Sequence, residues 1–196
     1  SNNNIQQSAV LTTEKEKHHL LLEQLSQNKG SIIVFVKTKR GAEELAFKLN
    51  NTSYKSEAIH GDLRQTKREK IVRAFRNQEF RIMIATDVAS LGIDIPHIEH
   101  VINYDLPQCP EDYIHRIGRT GRAHATGTAI SFISPNDSGK WQAIRRILGE
   151  EWAKNMPQAT ACFQRERRAN PKRFRTGETF IKKSKSGDKK RAIKRR

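Results

Sequence analysis

Between His115 and Arg122 the chain reads His-Arg-Ile-Gly-Arg-Thr-Gly-Arg. Arg116, Arg119 and Arg122 recur at every third position, with Gly118 and Gly121 between them. Such a segment makes a poor core and a good phosphate clamp. Glycine lets the backbone come close to a ligand, and arginine offers a planar, permanently charged donor fork suited to phosphate oxygens. Pro110 and the Glu111–Asp112 pair ahead of it open helices well. The segment is therefore expected to begin on a helix over Glu111–Arg119, with Arg116 and Arg119 one turn apart and Arg122 near the glycine-rich end. The other reading is a solvated basic helix end, where cations are favoured in any case.

The elements that would position this segment alternate in type. Thr13-Glu14-Lys15-Glu16 reads as a capping box, opening a helix through Leu20–Leu25 that stops near Gly30. Ile32–Val36 is an unbroken β-rich run, as in a strand covered on both faces. Gly41–Leu49 reads as a helix, Ser56–Ile59 as a weaker strand. Asp62 is placed to cap a helix running to about Asn77, with Ile71 and Phe75 on one face. Ile82–Ala85, His100–Tyr104 and Thr128–Ile133 complete the strands, and a last helix is expected over Ser138–Leu148. This alternation predicts a parallel α/β sheet with helices on both faces. In such sheets ligands sit at the carboxyl ends of the strands. The unusual polar segments fall there: Lys37–Arg40, His60-Gly61-Asp62, Thr86-Asp87 and Asp105 each follow a strand. They are expected to gather on one rim.

With 196 residues, 35% of them hydrophobic, the chain can bury one real core. Its net charge of +16 is uneven, because Gln164–Arg196 holds fifteen Lys/Arg against three Asp/Glu. The expected organisation is a near-neutral domain over 1–163 and a basic, disordered tail over 164–196 that suits a polyanion, nucleic acid above all. No apolar stretch is long enough to span a bilayer, and the tail lacks a wide apolar face, so no membrane partner is expected. Cys109 and Cys162 do not have a metal or disulfide-framework spacing, which fits a reducing compartment. The polar start has no signal-peptide pattern; opening on Ser1 rather than Met is expected of an excised piece of a longer polypeptide. Lys189-Lys190-Arg191 and Lys194-Arg195-Arg196 read as candidate nuclear import signals. The compartment expected is cytoplasmic, or nuclear or nucleolar in a eukaryote.

An ordered set of segments carries a family resemblance: Ile33-Val34-Phe35-Val36, His60-Gly61-Asp62, Gln65-Thr66-Lys67-Arg68, Ala85-Thr86-Asp87, Gly92-Ile93-Asp94, Tyr104-Asp105-Leu106-Pro107 and His115 through Arg122. From Lys29 to Ile133 the chain resembles the second, C-terminal RecA-like lobe of a DEAD-box RNA helicase. No Gly-x-x-x-x-Gly-Lys-Ser/Thr loop occurs, and no Asp-Glu-Ala-Asp run; in the family those parts, which hold ATP and Mg2+, belong to the N-terminal lobe. The resemblance implies an ATP-dependent RNA helicase whose C-terminal lobe has no ATPase activity alone. It implies that Arg119 and Arg122 reach the ATP phosphates as arginine fingers, that Gly92 and Asp94 meet the ribose, and that His115 couples the lobes. Arg116 is assigned to interlobe or internal pairing.

The resemblance places RNA along the same rim, at Gly61, Asp62, Gln65, Arg68 and Thr86, gripping the sugar-phosphate backbone irrespective of sequence. Each of these residues also has a plainer reading. Asp94 before Pro96 suits an ordinary turn. Gln65 and Arg68 suit a solvated helix face, Asp87 the cap of the next turn, and His60 a strand end. His18 and His19 read as exposed, Trp141 and Trp152 as packing residues. Leu91 stands where the family usually has an arginine that takes part in lobe closure. A non-enzymatic RNA-binding scaffold is the alternative function; a related protein acting on DNA is disfavoured by the histidine that opens the arginine segment.

Overall fold

The computed structural model describes residues 5–90, 98–121 and 125–149. Their elements run β1 (Ile5–Leu11), α1 (Lys17–Gln27), β2 (Ile32–Phe35), α2 (Lys39–Asn50), β3 (Ser56–Ile59), α3 (Gln65–Arg76), β4 (Ile82–Ala85), α4 (Asp87–Ser90), β5 (His100–Asn103), α5 (Pro110–Ile117), β6 (Gly127–Ile133), a 3-10 turn (Pro135–Asp137) and α6 (Ser138–Leu148). The strands form one six-stranded sheet in the order β1-β6-β5-β2-β4-β3, and every neighbouring pair is parallel.

Alternation along the strands builds two cores. Ile33, Phe35, Met83 and Ala85 point to one face, where α3, α5 and α6 supply Ile71, Phe75, Tyr113, Ile117 and Trp141. Ile32, Val34, Ile82 and Ile84 point to the other, against Leu21 and Leu25 of α1 and Leu45 and Leu49 of α2. Two interior strands, β2 and β4, are wholly buried, which explains their unbroken apolar sequence. Trp141 packs edge-on against Tyr113, as expected of a packing residue.

Four expectations need correction. The polar opening of the chain contains a strand: β1 lies at the sheet edge, half solvated, and its pairing with β6 overrides the weak pattern of Gln6, Gln7 and Ser8. Asp62 does not cap α3. That helix starts at Gln65 with Arg64 at the N-cap and no side-chain cap bond, because the turn through Leu63 sets Asp62 too far upstream; Asp62 pairs instead with Lys39. Helix α5 ends at Ile117 rather than Arg119, with Gly118 at its C-cap. The Thr13–Glu16 pair forms, Glu16 Oε2 accepting from Thr13 N at 3.3 Å and Oγ1 at 3.0 Å, but it closes a turn ahead of α1 instead of capping its amides.

Candidate functional site

The strand ends do gather the polar segments on one rim. Phe35 is level with Ala85 on one side and Asn103 on the other, and Ala85 with Ile59. Backbone bonds then tie the residues just beyond: Val36 N donates to Ala85 O at 3.0 Å, Thr86 N to Ile59 O at 3.3 Å, and Asp105 N to Phe35 O at 3.1 Å. Thr86 is nearly buried in this weave, at 7% exposure.

Arg116 organises the site. It is fully buried beneath the rim, stacked over the Phe35 ring with its guanidinium carbon 4.8 Å from the ring centre. Its Nε and Nη2 donate to the two oxygens of Asp87 at 2.5 and 2.7 Å, a bidentate pair. Nη1 donates to Asn103 Oδ1 at 3.1 Å and to the Asp105 carbonyl at 2.6 Å. Arg116 is therefore an internal bolt, the second of the two roles expected for it. Asp87 holds the same bolt and begins α4.

From Arg116 the chain makes a tight exit. Arg119 N donates to Arg116 O at 3.1 Å and Thr120 N to Ile117 O at 3.1 Å. Thr120 bridges to Ile98 in parallel, and its hydroxyl donates to Glu99 O at 3.0 Å. Gly121 sits at φ +67°, a region that favours glycine. Gly127 must also be glycine, since a Cβ there would stand 1.9 Å from Thr120 Oγ1 and 2.7 Å from Gly121 N. Arg119 is thus half-buried on a firmly held turn, with exposed His115 one turn before it on α5. The arginine segment touches the described residues on both flanks of 91–97: Arg116 holds Asp87, and Thr120 pairs with Ile98. Gly92, Asp94 and Leu91 lie outside the described residues, as do Arg122, Trp152, Cys162, the boundary at Phe163 and the basic tail.

On the β3–β4 side, a Cβ on Gly61 would stand 3.7 Å from Val88 and 4.0 Å from Lys39 Cε. Lys39, the neighbour of both Gly61 and Asp62, holds the Asp62 carboxyl below its ordinary range through their hydrogen bond. Gln65 Nε2 donates to Glu69 Oε1 at 3.0 Å on an exposed face, and Arg68 is half-buried beside it. His60 is buried, its Nε2 2.9 Å from Glu43 Oε1, which supports the strand-end reading.

Two contributors were overlooked in the sequence. Lys17 is buried and donates to Asp105 Oδ1 at 3.0 Å, while Asp105 Oδ2 accepts from Lys37 N at 2.9 Å. Burial alone would lower the Lys17 pKa, but the Asp105 charge, with hydrogen bonds to Glu14 and Asp105, reverses this and raises it. Its signal was present: Lys17, Leu21 and Leu25 recur every fourth residue and share the buried face. Asn103 interrupts the apolar run of β5, and its Nδ2 donates to Ser131 Oγ at 3.1 Å while its Oδ1 takes Arg116.

Residues 16–124 match the family described as the helicase conserved C-terminal domain. The chain is 44% identical over 155 residues to the DEAD-box ATP-dependent RNA helicase CshA of Geobacillus kaustophilus, covering 79% of this chain and 33% of the relative. It therefore spans about a third of that curated relative's length. Among solved structures, a DEAD box protein from the hyperthermophile Methanococcus jannaschii superposes with TM-score 0.71 at 49% identity, covering 74% of this chain and 40% of the other. Dbp5 of S. cerevisiae bound to RNA and ADP BeF3 superposes with TM-score 0.69 at 37% identity, covering 76% and 40%.

Proposed function

Because the chain belongs to the DEAD-box RNA helicases as their conserved C-terminal domain, we propose that it is one half of an ATP-driven engine for local RNA unwinding. In this reading Arg119 and Arg122 face ATP phosphates held by the N-terminal lobe. Bound ATP supplies the phosphoanhydride that is broken. The guanidinium groups stabilise charge spreading over the departing phosphoryl oxygens, an effect worth roughly 10³–10⁵ in rate in other nucleotide hydrolases. Gly92 and Asp94 contact the ribose, and His115, exposed on α5, meets the opposite lobe. The rim's chemistry fits phosphate better than metal: Asp62, Asp87 and Asp105 are each already paired with Lys39, Arg116 or Lys17. Magnesium is accordingly assigned to the N-terminal lobe.

RNA lies along Thr86, Gly61, Asp62, Gln65 and Arg68, held by its backbone, and the basic tail over 164–196 keeps further RNA nearby. The RNA carried by the Dbp5 relative supports RNA as the partner. Closure of two lobes on ATP and RNA would bend one strand and displace its partner. The observation that carries the proposal is the Arg116 bolt, which ties the arginine turn to the same rim as Thr86.

The test is RNA-stimulated phosphate release by the full-length parent protein. Arg119→Ala is expected to lower it by roughly 10³-fold or more with RNA affinity little changed, and this chain alone is expected to release no phosphate above background. A variant that hydrolyses ATP within a few-fold of the parent would refute the arginine-finger role.

A further inference from the structure

The outer face of α3 carries charge that the fold does not use. Arg64, Lys67, Lys70 and Arg73 occupy every third position from the N-cap onward, and all four are exposed. Neighbours in such a row stand about 5–6 Å apart at Cβ. Among the described residues none of the four forms a salt bridge. Glu69, the helix's one carboxylate, accepts from Gln65 instead.

Local electrostatics disfavour this arrangement. A helix N-terminus carries partial positive charge and prefers acids, as α5 shows with Glu111 and Asp112 in its first turn. The first turn of α3 has no acid, and its N-cap side chain makes no capping bond. Arg64 and Lys67 stand where the dipole opposes them, and among the described residues no carboxylate forms a salt bridge with either. Local rules broken without internal compensation mark surfaces shaped by a ligand.

The chemistry of the row selects that ligand. Every apolar anchor of α3, namely Ile71, Val72 and Phe75, is buried in the core, so the face lacks the packed hot spot of a protein interface. It offers spaced point charges on flexible stems, which suit a strand of phosphates. The row begins beside Gln65 and Arg68 and continues down the helix away from the rim.

We propose that the Arg64–Lys67–Lys70–Arg73 row is a second RNA track, holding the strand beyond the stretch gripped at the rim. This rests on the rim being an RNA site, and the test separates the two. The full 196-residue chain is compared with its Lys67→Gln/Lys70→Gln/Arg73→Gln variant by fluorescence anisotropy over a salt series. The probes are a single strand just long enough for the rim and one several times longer. For the long strand the variant is expected to bind roughly tenfold more weakly, with the log–log salt slope reduced by about 2, near 0.7 for each contact removed. Short-strand binding stays unchanged, and long RNA shields Lys67 and Lys70 of the parent chain from an amine-acylating reagent. Equal slopes for the two proteins on the long strand would overturn the track. So would loss of polyglutamate binding with RNA binding intact, which would assign the row to an acidic protein. If the short strand fails to bind while the long-strand slope still drops, the track stands and the rim reading falls. If the parent chain binds neither strand, both fall.

Discussion

Helices α3 and α5 cover the same sheet face and both carry arginine, yet they use their cations in opposite ways. On α5, Arg116 points inward and commits its guanidinium nitrogens to Asp87, Asn103 and the Asp105 carbonyl. On α3, Arg64, Lys67, Lys70 and Arg73 point outward. What separates them is the supply of acceptors: the ends of β4 and β5 present oxygens to α5, while the outer face of α3 has only Glu69. Spacing alone therefore does not assign a role. Arg116 and Arg119 belong to one every-third-residue series, yet Arg116 is fully buried beneath the rim while Arg119 is half-buried on the turn that follows.

That contrast can be broken most sharply at Arg116. Its replacement in Arg116→Ala leaves Asp87 without its bidentate partner beneath the rim, and the expected loss is about 3–5 kcal/mol of unfolding free energy. Lys70→Ala on α3 should stay within about 0.5 kcal/mol of the parent. Denaturant midpoints with matched slopes measure both, and equal losses would erase the distinction between the helices.

A smaller effect probes the interior of α5 through pH. Burial pushes the Tyr113 hydroxyl up to about 12, whereas an unfolded tyrosine ionises near 10. The folded state therefore holds this proton more tightly. The stabilisation is complete below about pH 10 and is lost as pH rises through about 12, amounting to roughly 2 kcal/mol. Lys17, also raised, acts in the same direction. Thermal unfolding followed from pH 9 to 12 should fall less steeply in Tyr113→Phe; an unchanged profile would remove Tyr113 from the account.

The smallest expected change sharpens the end of α3. Gln78 sits at φ +59° directly after the helix, where Gln78 N donates to Phe75 O and Glu79 N to Ala74 O, both at 3.0 Å. Helices that finish this way usually place glycine at that position. Gln78→Gly should stabilise the fold by about 0.5–1 kcal/mol, visible as a higher denaturant midpoint, with the salt slope of RNA binding untouched.

The sequence made the buried strands and the rim legible because both depend on local pattern. Ile32–Phe35 and Ile82–Ala85 are continuous apolar runs, and each polar cluster follows one. It hid β1, because an edge strand needs only half its residues apolar and its pairing comes from the far end of the chain. The arginine segment was recognised as a unit, but the use of Arg116 as an internal bolt depends on Asn103, Asp87 and Asp105, which come together only in three dimensions. Asp62 misled for a similar reason: its partner Lys39 lies on a different helix.

The β1–β6 pairing, Ile5 beside Gly127 through Leu11 beside Ile133, also sets an order of assembly. Synthesis delivers the outermost strand before any other part of the described fold and its neighbour nearly last. While β2, β3 and β4 can already associate, the leading segment waits for a distant partner, and closing that loop is the slow, entropy-limited event expected of contacts remote in sequence. The sheet is finished only when the beginning of the described chain finds a strand near its end.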